Sequence, residues 1–223
     1  VSAHAAPATV WLARHGETTW NMAGRYQGRM ESALSALGVR QGLALADHFF
    51  AELQAERRVP ARIVSSPMVR CAATAQFTAD RLGIPVETDE RLIEIAHGTW
   101  DGRYRDDLAR ADPERYRAWR NAPESVSFDG GESLADVRER WRSFARELAR
   151  ETRDTLVCTH DAVVRCALVD LTARPLAAFW DVPVENAGYA LLATDDAAGL
   201  VVRDACVTRH LASARADVAQ QAL

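Results

Sequence analysis

Short apolar runs alternate along this chain with longer stretches of three- and four-residue hydrophobic spacing, a pattern that predicts strands followed by helices. Val10, Trp11, Leu12 and Ala13 form the first run, rich in β-formers, and read as a buried strand that stops at Arg14-His15-Gly16. Glu17 to Met30 is polar and aromatic, a loop with a short helical turn. Val39, Leu43, Ala46, Phe50 and Leu53 then recur at helical intervals and predict an amphipathic helix from about Ala36 to Arg57, N-capped by Ser35. Arg62-Ile-Val-Ser65 is a second strand. Ser66-Pro67 signals a helix start, with Pro67 at the first helical position, Arg70 in the first turn and Gly83 as the stop. Val86 to Thr88 reads as a further brief strand.

From Ile95 to Gly131 the periodicity weakens and Trp100, Arg103, Tyr104, Tyr116, Trp119 and Arg120 crowd in. This stretch, about 95–131, reads as a small inserted cap region over the sheet's active edge, a solvated helical layer with ordinary aromatic anchors being the alternative. Asp112-Pro113 begins a short helix within it. Ser133 with Asp136 resembles a capping box and opens a helix from Leu134 to Glu151. Thr155 to Thr159 is a third buried strand ending at His160-Asp161, and Ala162 to Leu171 a buried helix. Ala187–Ala193 and Leu200–Cys206 suggest a closing hairpin. About 1–8 and 208–223 are weakly patterned and are expected to be loosely ordered tails. The order of elements predicts an α/β fold, residues 1–223 in a single domain without internal repeats.

Composition narrows the partners. With 27 basic against 31 acidic residues the net charge is -4, so the whole protein does not attract nucleic acid or an anionic membrane, and any polyanion must be held by local arginines. The basic residues are overwhelmingly arginine, which suits bidentate phosphate contacts but equally reflects a GC-rich genome. Cys71, Cys158, Cys166 and Cys206 form no CxxC pair, and three lie in apolar segments, as small buried hydrophobes of a reducing compartment do. No run has the length of a membrane span, and Val1 to Pro7 lack a signal core, so a cytoplasmic protein is expected.

The chemistry gathers at strand ends. His15 and His160 each follow directly on the carboxyl end of a predicted strand, Arg14 precedes the first, and Arg70 begins the helix after another. In open α/β sheets ligands bind beyond the carboxyl ends of the strands. If these strands are neighbours, the four side chains form an electropositive cluster whose natural complement is a phosphate. Neutral imidazole is a competent nucleophile near pH 7, and Glu94 is the carboxylate best placed to protonate a leaving oxygen. Other readings stand beside these: a metal held by the two histidines, Glu94 paired with Arg91 at the surface, or His97 as the acid. Flanking arginines and the lack of a third ligand at suitable spacing weigh against the metal.

These residues resemble the histidine phosphatase superfamily, phosphoglycerate-mutase-like branch. The blocks are Arg14-His15-Gly16-Glu17-Thr18 with Trp20-Asn21 and Arg25-Tyr-Gln-Gly28, then Ser65-Ser66-Pro67-Met-Val-Arg70, Arg91-Leu-Ile-Glu94, Gly98-Thr-Trp-Asp-Gly102, Gly131-Glu132-Ser133 and Thr159-His160. The resemblance covers roughly residues 9 to 193 in the family's order. It implies a mostly parallel sheet flanked by helices with an inserted cap region, and no metal or organic cofactor. By the same resemblance His15 matches the histidine that is phosphorylated, Arg14, Arg70 and His160 the phosphate pocket, and Glu94 the proton donor. Thr18, Asn21, Gln27 and Gly28 match positions that line the phosphate or substrate.

Two departures matter. The residue after the second histidine is commonly glycine in the family, and here it is Asp161, whose backbone N–H can still reach a phosphate while its carboxylate repels one unless it turns away. Asp101 stands where glutamate is frequent. Mutases of the family carry a longer insertion with a paired-arginine motif, which is missing after Glu94. The implied function is a cofactor-independent phosphomonoesterase hydrolysing a small-molecule phosphate monoester through a phosphohistidine. A phosphoglycerate mutase and a catalytically inactive phospho-ligand or protein-binding module are the alternatives. Arg103, Tyr104, Tyr116 and Trp119 suggest a polar metabolite with some flat or apolar surface. A monomer or homodimer is compatible with the pattern.

Overall fold

The computed structural model describes residues 6–214. In chain order the elements are β1 (Thr9–Arg14), α1 (Thr19–Met22), α2 (Ala36–Gln54), β2 (Arg62–Ser65), α3 (Val69–Leu82), β3 (Val86–Thr88), α4 (Arg105–Ala111), α5 (Pro113–Asn121), α6 (Leu134–Leu148), β4 (Thr155–Thr159), α7 (Asp161–Leu171), β5 (Tyr189–Asp195) and β6 (Gly199–Val207). Five short 3-10 turns intervene among the described residues, the last at Arg209–Leu211.

The six strands make one mixed sheet in the order β3-β2-β4-β1-β5-β6. β2 is parallel to β3 and β4, and β4 to β1, whereas β5 is antiparallel to both β1 and β6. Parallel strands need both faces covered, and β1 meets that demand by alternation. Val10 and Leu12 join the core formed by α6, α7 and the 95–131 segment, while Trp11 and Ala13 join the core under α2 and α3. The register sets Arg14 beside Thr159 and Ser65 beside Cys158. The carboxyl ends of β2, β4 and β1 are therefore adjacent, and whatever follows them shares one edge.

α2 starts where its N-cap predicts, with the Ser35 hydroxyl accepting from the Gly38 amide at 3.0 Å, but its buried face differs from the expected one. Gly38, Gln41, Gly42, Leu45, Ala46 and Phe49 are buried, whereas Val39, Leu43 and Leu53 are exposed. Close approach explains the rotation. A Cβ on Gly38 would stand 1.9 Å from the Glu17 carbonyl oxygen, and one on Gly42 would stand 2.5 Å from the Phe77 ring. The helix turns its smallest residues inward so that the loop after β1 and helix α3 can lie against its backbone. Size complementarity overrides the larger side chains' hydrophobicity at this contact.

Other differences are smaller. α3 begins at Val69 with Met68 as N-cap, so Pro67 precedes the helix and does not open it. α6 ends at Leu148, three residues early, and keeps its Ser133–Asp136 capping box. Trp100, Leu108, Trp119 and Phe128 of the 95–131 segment are buried in the main core, while most other residues of α4 and α5 are exposed or half-buried. Residues 208–214, expected within a loose tail, are tied down: Leu211 is fully buried and the Ala214 carbonyl accepts from Gln41 Nε2 at 3.0 Å. Ala8 is likewise buried, its amide donating to Thr194 Oγ1 at 2.8 Å. Residues 1–5 and 215–223 of the expected tails lie outside the described residues. Cys71, Cys158 and Cys166 are buried free thiols and Cys206 is half-buried. Among the described residues no helix is long and apolar enough to cross a membrane.

Candidate active site

Because β4 lies between β2 and β1, the turns after these strands bring Ser66, His160 and His15 together. The rings of His15 and His160 meet edge to face, centroids 5.3 Å apart. The His15 backbone amide donates to the Thr159 carbonyl at 2.9 Å, while Asn186 Nδ2 and the Ala187 amide both donate to the His15 carbonyl, at 3.0 and 3.1 Å. The ring is held as firmly. Nδ1 lies 2.7 Å from the Gly16 carbonyl, which only accepts, so Nδ1 carries the proton and Nε2 keeps its lone pair. Burial and the charges of Arg70 and Arg14 hold the His15 imidazole well below its ordinary range, so it is neutral at pH 7.

His160 Nε2 is 2.8 Å from Ser66 Oγ and 3.3 Å from Cys71 Sγ. Burial, with Arg70 and His15 adding to it, depresses this ring too. His160 is the N-cap of α7 but makes no side-chain cap, which leaves its ring to face His15. The α7 N-terminus, an anion-favouring pole, opens onto the same edge.

Two arginines flank the rings. Arg70 is fully buried and donates from Nη1 to the Met30 carbonyl at 3.0 Å and from Nη2 to the Gly28 carbonyl at 2.8 Å. Gly28 has φ +48°, and a Cβ there would collide with the Asp101 carboxylate at 1.8 Å, so only glycine lets this turn present its carbonyl to Arg70. Arg14 is 3% exposed, with Nη1 at 3.0 Å from Asp161 Oδ1. The Nε of each arginine is buried without a partner. Buried donors are ordinarily satisfied, and two orphaned guanidinium N–H groups beside a pair of imidazoles have the donor chemistry that an oxyanion would satisfy.

Glu94 is 2% exposed and accepts from the Ile95 amide at 2.9 Å, so it is not a surface partner of Arg91, which instead pairs with Asp89 and Glu147. Burial raises its carboxyl; Arg70 pulls against that shift and Asp161 reinforces it. The loop carrying Glu94 is pinned by Glu132, which accepts from the Ala96 amide at 3.0 Å, and by Arg140, which donates to the Arg91 carbonyl at 2.8 Å. His97, the competing acid, is turned into the aromatic core against Tyr26, Trp119 and Phe128.

The predicted substrate-lining residues serve first to hold one another. Thr18 is the N-cap of α1 and forms a capping box with Asn21, and its Oγ1 is 3.0 Å from Gln27 Oε1. Glu17 accepts from the Ser35 hydroxyl at 2.7 Å and fastens the loop to α2. Asp161 directs its carboxylate to Arg14 and to Arg165, whose Nε is 2.5 Å from Asp161 Oδ2. Of the cap residues singled out by composition, Trp119 is fully buried in the hydrophobic core, whereas Tyr104 is exposed. Ser66, Arg165 and Asn186 escaped the sequence reading as site residues. Arg165 alone left a signal, a lone cation four residues after Asp161 in an apolar helix. Asn186 reaches His15 across 171 positions and left none.

The profile of the histidine phosphatase superfamily (branch 1) matches residues 10–205. The chain is 33% identical over 202 residues to phosphoserine phosphatase 1 of Hydrogenobacter thermophilus, covering 90% of this chain and 92% of that one. It is 30% identical over 209 residues to a probable phosphoglycerate mutase of Yersinia pestis, covering 91% and 94%. The solved structure of a mycobacterial glucosyl-3-phosphoglycerate phosphatase superposes with a TM-score of 0.78 at 26% identity, over 91% of this chain and 100% of that one. With the family profile matching residues 10–205, relatives at 30% identity or more over nine-tenths of the chain and a superposable fold, the chain belongs to the histidine phosphatase superfamily, branch 1.

Proposed function

We propose that this chain is a phosphomonoesterase that hydrolyses a small phosphorylated metabolite through a phosphohistidine on His15. The observation that carries the reading is charge balance around a neutral imidazole. Three buried guanidinium groups (Arg14, Arg70 and Arg165) stand against two buried carboxylates, Asp161 and Glu94, and burial raises the Glu94 carboxyl, so the balance is positive and suited to a phosphate. His15 Nε2 attacks phosphorus in line; the N–P bond forms as the ester P–O bond breaks, and Glu94 delivers its proton to the departing oxygen. Water then attacks the phosphohistidine and gives its proton to the Glu94 carboxylate, releasing inorganic phosphate and restoring the imidazole. Arg14, Arg70 and His160 stabilise the equatorial oxygens. Thr18, Asn21, Gln27 and Gly28 shape the wall around them.

A phosphatase is favoured over a mutase because Glu94 is followed directly by Ile-Ala-His-Gly-Thr-Trp, with no paired arginines in the segment that covers the edge. Intact nucleophile and acid disfavour a binding-only module. The test is rapid quenching during turnover of a labelled phosphate monoester, which should trap an acid-labile, base-stable phosphoenzyme. The His15→Ala variant should lose roughly ten-thousandfold or more of the rate. Activity should survive EDTA and be blocked by vanadate. Dependence on an added divalent metal, or turnover without phosphoenzyme, would overturn the mechanism. Transfer from bisphosphoglycerate to monophosphoglycerate in a coupled assay would favour the mutase.

A further inference from the structure

α7 is buried on every side from Asp161 to Val169, yet it carries both a carboxylate and a guanidinium. An ion pair so placed costs several kcal/mol per charge in lost solvation, and replacement by apolar residues is often neutral or stabilising. Stability is therefore a poor reason for it. The pair is wired toward the site: Arg165 is anchored by the Val182 and Phe179 carbonyls and holds Asp161 Oδ2 through Nε at 2.5 Å, while Asp161 Oδ1 receives Arg14 Nη1 at 3.0 Å. Arg14 in turn ends β1 directly before His15.

We propose that Asp161, backed by Arg165, is a positioning residue for Arg14: a buried carboxylate clamp that fixes the guanidinium beside His15 and offsets one of the site's positive charges. Resting on the phosphatase reading above, it assigns Asp161 away from direct substrate contact. The clamp occupies Nη1 and leaves Nε, buried and unpartnered, for a phosphate oxygen. A guanidinium free to rotate about its long stem would have to be ordered by each substrate; one already tied is pre-organised. The same carboxylate faces Glu94 across the site. Arg70 from α3, Arg14 from β1 and His97 from the Glu94 loop act on Glu94 too, and Asp161 is the carboxylate among these groups that favours its protonated form.

The experiment is steady-state kinetics on an alkyl phosphate monoester, whose leaving oxygen needs the Glu94 proton, across a pH series, with folding followed by circular dichroism. Asp161→Asn keeps the side chain's shape and removes its charge. We expect kcat to fall about tenfold to a hundredfold while KM does not rise, because the misplaced guanidinium loses its aim but the added positive charge still attracts phosphate. The alkaline limb of the kcat/KM profile should move to lower pH as Glu94 loses an anionic neighbour. Loss of structure alone would raise KM and leave that limb in place. If Asp161→Asn leaves Arg165 too poorly paired to fold, Asp161→Asn with Arg165→Met removes both charges, and the same kcat loss is read there. A folded variant of either kind with the native kcat and the native limb overturns the clamp. His15→Ala on the same substrate is the control: turnover retained there defeats the phosphohistidine reading itself, whatever Asp161 does.

Discussion

The two walls of the site hold their arginines by opposite means. On the α3 side, Arg70 donates to two backbone carbonyls, those of Gly28 and Met30, and keeps its whole charge for the pocket. On the α7 side, Arg14 meets a carboxylate, and that carboxylate is itself tied to Arg165. Carbonyl dipoles orient a cation without cancelling it, whereas an ion pair orients and cancels together. The α3 wall therefore presents a guanidinium that no carboxylate touches, and the α7 wall presents one whose direction is set by a carboxylate that it shares with Arg165. Glu94 lies under both influences, pulled toward ionisation by Arg70 and toward protonation by Asp161.

This contrast breaks most visibly at Glu94. Glu94→Gln keeps the hydrogen bond from Ile95 but has no proton to give, so hydrolysis of an alkyl phosphate should fall about a hundred- to ten-thousandfold. With 4-nitrophenyl phosphate, whose leaving group needs no proton, the loss should be much smaller, and equal losses on the two esters would remove Glu94 as the acid.

Arg70→Ala should cost about a hundred- to a thousandfold in kcat/KM, the scale of deleting one preorganised donor to the developing charge. Its loss should be spread over both KM and kcat, unlike the kcat-weighted effect at Asp161. Similar KM responses from the two would show that the walls do not differ. The pH profiles should separate them further. The wild type is expected to give a bell whose acid limb lies below the ordinary imidazole value of 6.5 and whose alkaline limb lies above the ordinary carboxyl value of 4.5. Removing Arg70 raises both groups, so both limbs should move to higher pH, opposite to the shift of the alkaline limb in Asp161→Asn.

The smallest effect concerns stability. His15 and His160 stay neutral in the native state at pH values where an unfolded chain binds protons to them, so stability is lost as pH falls below about 6.5 toward their depressed values, by about 1.4 kcal/mol per pH unit for each ring. Glu94 acts in the reverse sense, its folded value being raised: its contribution is present below 4.5 and is lost as pH rises through that folded value. His210, hydrogen-bonded to the Ala187 carbonyl at 2.8 Å and pushed down to about 4 by burial, adds to the acid loss away from either wall. His210→Gln should shrink the difference in Tm between pH 7 and pH 5. An unchanged difference would exclude His210 from it.

Much of this was legible along the chain. The strands ending at Arg14, Ser65 and Thr159, the N-caps Ser35 and Ser133, and the stop at Gly83 are set by interactions within a few residues, and the structure keeps each of them. The face of α2 was not legible, because it depends on which helix and which loop come close enough to need Gly38 and Gly42. Nor was the direction of the Asp161 carboxylate, since its partner Arg14 lies in another strand, and the family's glycine at that position gave no guide to a side chain.

By itself the sequence determined which residues stand at strand ends and helix starts, and so which groups were available for chemistry, since periodicity, capping and turn preference act over one or two turns of chain. The tertiary structure alone decided that β4 lies between β1 and β2, that His15 and His160 meet edge to face, that Trp119 is buried in the core, and that Arg14 and Asp161 are a pair. These depend on strand order, close packing and charge compensation between segments far apart in the chain, and local preference carries no record of such neighbours.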